Sequence, residues 1–217
     1  MNHCPRATAC HEAGHALAFW WNARHIERIS VRTRAQARSG PMVDLRGNLH
    51  AVEGLIEADY FVLRPAAEVP GVAEYLPSMV EAIERDLLNC FAGPVAEAIY
   101  RHARTERLLK GSGLGDLRRA QELICLLPPR KLLDAERRAI ARSHRLVHRY
   151  WSTVMALATM LQLQGTVEGS LVSRVLADLS GESAQPQAHD LSSLDHRQLR
   201  PGLTPDWPPG PVPARWQ

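Results

Sequence analysis

The string His11-Glu12-Ala13-Gly14-His15 holds the residues of this chain best suited to chemistry. Residues four apart share one face of an α-helix, so His11 and His15 can turn two imidazole nitrogens toward one metal ion. Glu12, about 100° round the helix, stays free to handle protons. Zinc suits two neutral imidazoles with one carboxylate and keeps an open fourth position for water, whose pKa falls towards neutrality. The spacing therefore predicts a zinc hydrolase helix with Glu12 as general base. The same string also arises where two histidines merely face solvent or core, but the residues around it argue against that use. Gly14 costs about 1 kcal/mol in a helix interior, which is accounted for if another element packs closely against the backbone there.

A third ligand is sought among carboxylates. The glycines of Lys110-Gly-Ser-Gly-Leu-Gly-Asp116 permit tight turns, and Asp116 stands where a helix over Leu117 to Leu127 is expected. Asp116 reads as an N-cap, as a third zinc ligand, or as both.

The elements that must position these groups follow from periodicity. A first helix is expected from Arg6 to Trp21, and a strand over His25 to Thr33, with Ile26, Ile29 and Val31 among polar partners. A short strand follows at Met42 to Leu45, then loop and short helix from Arg46 to Pro77, broken by Pro65, Pro70 and Pro77. Ser78 reads as the N-cap of a long helix reaching Arg101, with an apolar stripe at Met79, Ile83, Leu87, Leu88, Phe91, Val95 and Ile99; Gly93-Pro94 is expected to bend or divide it. Pro128-Pro129 ends the next helix. Two more are expected over Leu132 to Gln164 and Gly169 to Leu179, the first burying Leu146, Val147, Tyr150, Val154, Leu157, Leu161 and Leu163. The fold class is thus mainly α, α+β in detail, with a small sheet near the N-terminus. Residues 1–179 form the folded domain, and 180–217, rich in Pro, Ser, Gln and Gly, form a flexible tail with Trp207 and Trp216.

Composition bounds the rest. With 217 residues, 45% hydrophobic and 23% charged, the chain has the make-up of an ordinary globular protein. A net charge of +3 with dispersed arginines gives no nucleic-acid signature. Cys4, Cys10, Cys90 and Cys125 are too scattered for a zinc knuckle and too few for a secreted disulfide scaffold, which suits reduced thiols and a cytoplasmic setting. No apolar run approaches the roughly 18 residues of a membrane span, and no signal-peptide order opens the chain.

The HEAGHALA run, the strand-like HIERISVRT, the FAGPVAEAIY helix and GSGLGDLRRAQEL, in this order, resemble the peptidase domain of the FtsH-type ATP-dependent zinc metalloproteases. The segment Gly165-Thr-Val-Glu-Gly169 between two helices extends the similarity, which spans Pro5 to Leu179. The resemblance implies that His11, His15 and Asp116 hold zinc, that Glu12 is the base, and that the strand near Ile26 to Thr33 pairs with substrate main chain. It also implies protomers that assemble into a ring.

Departures from the family pattern qualify those implications. No GxxxxGK[ST] phosphate loop and no membrane anchor are present, so a stand-alone domain is expected that cannot unfold a substrate by itself, working alone, as a homo-oligomer or with a separate ATPase partner. The family's Gly-Gly-Arg before Ala-Glu-Glu is here Gly93-Pro94-Val95-Ala96-Glu97-Ala98. Glu97 is accordingly either a supporting carboxylate or a rival to Asp116 as third ligand. The first expectation is an endopeptidase acting on unfolded or extended polypeptides. Alternatives are a catalytically weak or silent relative serving as an interaction module, and hydrolysis of a non-peptide amide. Transition-state stabilisers stay unassigned; His25, His50, His102 and Tyr100 qualify by type alone.

Overall fold

The computed structural model describes residues 5–62 and 77–181. The first helix, α1 (Arg6–Trp21), buries fourteen of its sixteen residues, as a helix apolar all round must. Phe19 and Trp21 are among the largest fully buried side chains, each worth about 2 kcal/mol or more by burial. Around α1 pack α3 (Pro77–Arg101), α7 (Ala135–Arg149), α8 (Trp151–Gln164) and a sheet. Gly14 answers the question its cost raised. A methyl group there would stand 2.6 Å from Ala96 Cβ and nearer still to the Ala92 carbonyl oxygen, so α1 and α3 meet almost backbone to backbone.

The sheet has the order β4 (Gly54–Ala58), β1 (Ile26–Val31), β5 (Thr166–Glu168), with β1 antiparallel to both neighbours. In a regular strand Ile26 and Ile29 would face opposite ways. The register shifts between Ile26 and Arg28 relative to β4, and this bulge brings both isoleucines to the buried face with Val31. The expectation that β1 pairs with a substrate is corrected here, because both its edges are taken. Among the described residues, the outer edge of β4 is the one beside α1 that carries no strand.

Between β1 and β4 lie α2 (Arg34–Ser39) and the hairpin β2 (Met42–Val43) with β3 (Leu49–His50). The loop expected from Arg46 onward therefore contains two strands. Their pattern was hidden because β3 has only two residues and β4 is half-buried throughout. Residues 63–76 of that stretch, with Pro65 and Pro70, lie outside the described residues. The long helix begins at Pro77, so Ser78 is inside it and not its cap, and it runs through Pro94 without dividing.

Further along come α4 (Thr105–Leu109), which periodicity did not suggest, then α5 (Leu114–Ile124) and α6 (Pro129–Leu132). The expected helix over 132–164 is two helices, α7 and α8, broken at Tyr150, whose φ of −115° and ψ of 30° are not helical. Tyr150 is held between the rings of Trp20 and Trp21, at 6.5 and 5.7 Å, so tertiary packing imposes a break that local sequence does not signal. Leu163, expected inside, is 74% exposed at the end of α8. The last helix, α9 (Gly169–Ser180), follows β5 directly, and the tail beyond residue 181 lies outside the described residues. No described helix is long and apolar enough to cross a membrane.

Candidate metal centre

His11 and His15 sit on one face of α1, both buried, and α5 brings Asp116 to them. The two Nε2 atoms are 3.0 Å apart; Asp116 Oδ2 is 3.2 Å from His11 Nε2 and Oδ1 is 3.4 Å from His15 Nε2. Asp116 is the third residue of α5, whose N-cap is Gly113, so the capping role is corrected. Its place in the first turn still suits a carboxylate facing the positive end of the helix.

The far side of each ring fixes its tautomer. His15 Nδ1 lies 2.7 Å from the Asn89 carbonyl, which can only accept, and His11 Nδ1 lies 2.9 Å from Glu97 Oε2. Each Nδ1 therefore donates, and in the neutral form each Nε2 turns a bare lone pair toward the other and toward the Asp116 carboxylate. Three electron-rich atoms converging in a buried space require a cation among them. Without a metal that cation is a proton. Burial disfavours a charged imidazole, yet hydrogen bonds to Asp116 and Glu97 outweigh it and raise His11 to about 10. The same charges act on Asp116 in reverse. Burial pushes its pKa up, but the pull of His15 and its contacts with His11 hold it far below the usual carboxylate range.

Ligand atoms held about 2.0–2.1 Å from one tetrahedral ion stand about 3.3 Å from one another. Separations of 3.0, 3.2 and 3.4 Å fit that geometry, so this buried group could hold a metal ion. Asp116 is the open side, its side chain 22% exposed.

Glu97 takes the other part that the sequence left to it. It reaches Nδ1 of His11, on the opposite side of the ring from the cluster. Ser112 Oγ donates to Oε2 at 2.7 Å and Arg101 Nε to Oε1 at 2.7 Å, so the carboxylate is fully engaged in orienting His11. Burial works against its charge, but the hydrogen bonds from His11 and Ser112 lower its pKa. Sequence reasoning missed Ser112 and Arg101, although Ser112 lies inside the glycine-rich stretch and Arg101 four residues after Glu97 on the same helix.

Three glycines make the room. A methyl group at Gly93 would stand 2.6 Å from His15 Cε1 and closer still to Cδ2 and Nε2, so only glycine lets α3 pass the ring. Gly113 leaves room for the Pro94 ring, whose Cγ would be 2.8 Å from a Cβ there. At Gly54, the first residue of β4, a Cβ would meet Glu12 Oε1 at 2.5 Å. The free edge strand is thus seated directly against the buried Glu12 carboxylate, whose pKa burial raises above the ordinary value.

The other candidates lie elsewhere. His50 bonds Asp44 at 2.9 Å in the β2–β3 hairpin, His25 pairs with Glu27 on the surface, and His102 is exposed in a left-handed turn (φ 50°) after α3. Tyr100 is half-buried near the end of α3. Cys10 and Cys90 are buried thiols, and the Cys125 thiol is half-buried. No protein-family model matches the chain, and no curated protein matches it significantly.

Proposed function

We propose that this chain is a zinc-dependent endopeptidase acting on unfolded or extended polypeptides, as its resemblance to the FtsH-type peptidases implies. The observation that carries the reading is the convergence of His11 Nε2, His15 Nε2 and an Asp116 oxygen at 3.0–3.4 Å, with both Nδ1 atoms anchored from behind. The donor set of two imidazoles and one carboxylate suits zinc. A zinc ion held there would polarise a scissile carbonyl and lower the pKa of water at an open position.

The remaining work falls to the chain's own groups. Glu12, one residue from His11 and shielded from solvent, takes a proton from the attacking water and passes it to the departing amine nitrogen. Burial raises its pKa, which makes the carboxylate a stronger base toward the water proton. The outer edge of β4 offers unpaired main-chain groups next to Glu12, a place for an extended polypeptide to add as a strand. A pure interaction module has no use for a buried carboxylate beside two imidazoles, since burying an ionisable group is costly.

Elemental analysis of dialysed protein tests the site. We expect one zinc per wild-type chain, lost in His15→Ala and Asp116→Ala. Glu12→Gln should keep the zinc and lose cleavage of a denatured protein substrate. Wild type without zinc, Asp116→Ala with full zinc, or Glu12→Gln with full activity would each overturn the reading.

A further inference from the structure

A cavity of about 460 Å³ opens between Arg34, Ala37 and Arg38 of α2 and Ala51, Val52 and Glu53 of the segment leading into β4. That volume lies within the roughly 300–1,000 Å³ of ordinary ligand sites. Its two walls are tied together. Arg32 Nε donates to the Val52 carbonyl at 2.8 Å and Nη1 to the Gly40 carbonyl at 2.6 Å, while Thr33 and Gln36 close a capping box at the start of α2.

Two connections place the cavity along the path of a bound polypeptide. Thr8 Oγ1 donates to Glu53 Oε2 at 3.2 Å, and Thr8 is one turn of α1 before His11 and Glu12. Val52 precedes Gly54, the residue against Glu12, by two positions in the chain. A chain added along β4 and reaching Glu12 therefore passes the mouth of this cavity.

Its charge is unbalanced. Glu53 is engaged by Thr8 and lies 3.9 Å from Arg34 Nε, whereas no carboxylate among the described residues lies within 4.0 Å of Arg38. Ala37, Ala51 and Val52 line the same cavity, and a guanidinium binds a carboxylate through two parallel hydrogen bonds. We propose that this cavity is a specificity subsite that receives a carboxylate of the polypeptide substrate, held by Arg38 with Arg34 in support. The carboxylate belongs either to an acidic side chain or to a chain terminus. The proposal rests on the peptidase reading above, since it concerns the same site.

Binding tests it apart from turnover. Zinc-loaded Glu12→Gln protein is titrated with fluorescein-labelled octapeptides of Gly and Ser carrying one central Glu or Gln, each as free C-terminal acid and as amide, at low salt. We expect about ten-fold tighter binding of the carboxylate peptide. That preference should vanish or reverse in Glu12→Gln/Arg38→Glu, whose zinc content and circular dichroism stay those of the parent, because Arg38 is exposed. A preference set by the central residue assigns the subsite to acidic side chains, and one set by the free C-terminus assigns it to chain ends. Equal binding of all four peptides, no binding at all, or a preference untouched by Arg38→Glu overturns the inference. Failure of wild type to hold zinc or cleave denatured protein overturns the peptidase reading instead.

Discussion

Replacing Gly93 by alanine adds one methyl group and should dismantle the candidate metal site. The new Cβ would lie 2.6 Å from His15 Cε1, against an ordinary carbon–carbon contact of about 3.5 Å or more, so the ring has to retreat by about 1 Å. It cannot do so freely, because Nδ1 is held by the Asn89 carbonyl at 2.7 Å on the same helix that carries the intruding methyl. Metal–ligand distances hold to within about 0.2 Å, so a shift five times larger removes His15 as a ligand. We expect zinc affinity, measured by competition with a chromophoric chelator, to fall by at least about 100-fold. The apoprotein should lose only about 0–2 kcal/mol, since overpacking costs about 1–3 kcal/mol and alanine recovers about 1 kcal/mol of helix propensity. Gly115→Ala is the control. It adjoins Asp116, but a Cβ there meets nothing within 4 Å, so affinity should be unchanged and the helix slightly steadier. A folded Gly93→Ala protein that binds zinc as wild type does would refute the reasoning, showing that His15 is not a ligand or that the helices do not meet as described.

Other outcomes follow from the same contacts. Glu97→Gln keeps the shape but weakens the charged hydrogen bond to His11, and zinc affinity should drop about 10–100-fold, with Glu12→Gln near wild type in the same titration. Zinc at one hundred times its dissociation constant should stabilise the protein by about 2.7 kcal/mol in chemical denaturation, and a chelator should remove that increment while leaving Asp116→Ala unaffected. Gly14→Ala should cost about 1–3 kcal/mol in urea unfolding, because its methyl collides with Ala96 and the Ala92 carbonyl; an unchanged midpoint would deny the close approach of α1 and α3. His144 titrates near 4, its pKa lowered by burial and then by the charge of His148, against 6.5 in the unfolded chain. The unfolded chain thus binds the proton first, and stability should fall by about 3 kcal/mol between pH 6.5 and 4, a loss that His144→Gln should reduce in denaturant titrations across that range.

The parts of this fold that could be read from sequence are those in which local pattern and tertiary role agree. Helix α1 was legible to the residue because a continuous apolar run with two histidines four apart admits one conformation. Helices α3 and α9 followed from periodicity and flanking breakers. Strands β3 and β4 were not legible, because neither alternates: the one is too short and the other is half-buried along its whole length. The division of the helix at Tyr150 depends on Trp20 and Trp21, which lie some 130 positions away in the chain, and no local window contains that information. Pro94 misled in the opposite direction. It sits within an unbroken helix and packs against Gly113, so long-range contact there overrides a strong local breaker.

The site shows the same division between chemistry and placement. Histidine spacing picked out His11 and His15, but two carboxylates were compatible with the third position, and nothing in residue type separates Asp116 from Glu97. What separates them is the nitrogen each can reach. Both Nε2 atoms point toward α5, so a carboxylate there meets both rings at once. Glu97 lies on α3 behind His11 and reaches only Nδ1. The two carboxylates are not interchangeable, because one imidazole needs an acceptor behind it to keep its tautomer and a partner in front of it to share a cation. Removing Asp116 takes away the partner in front of both Nε2 atoms, and removing Glu97 takes away the acceptor that fixes the His11 tautomer, so neither acid can do the work of the other.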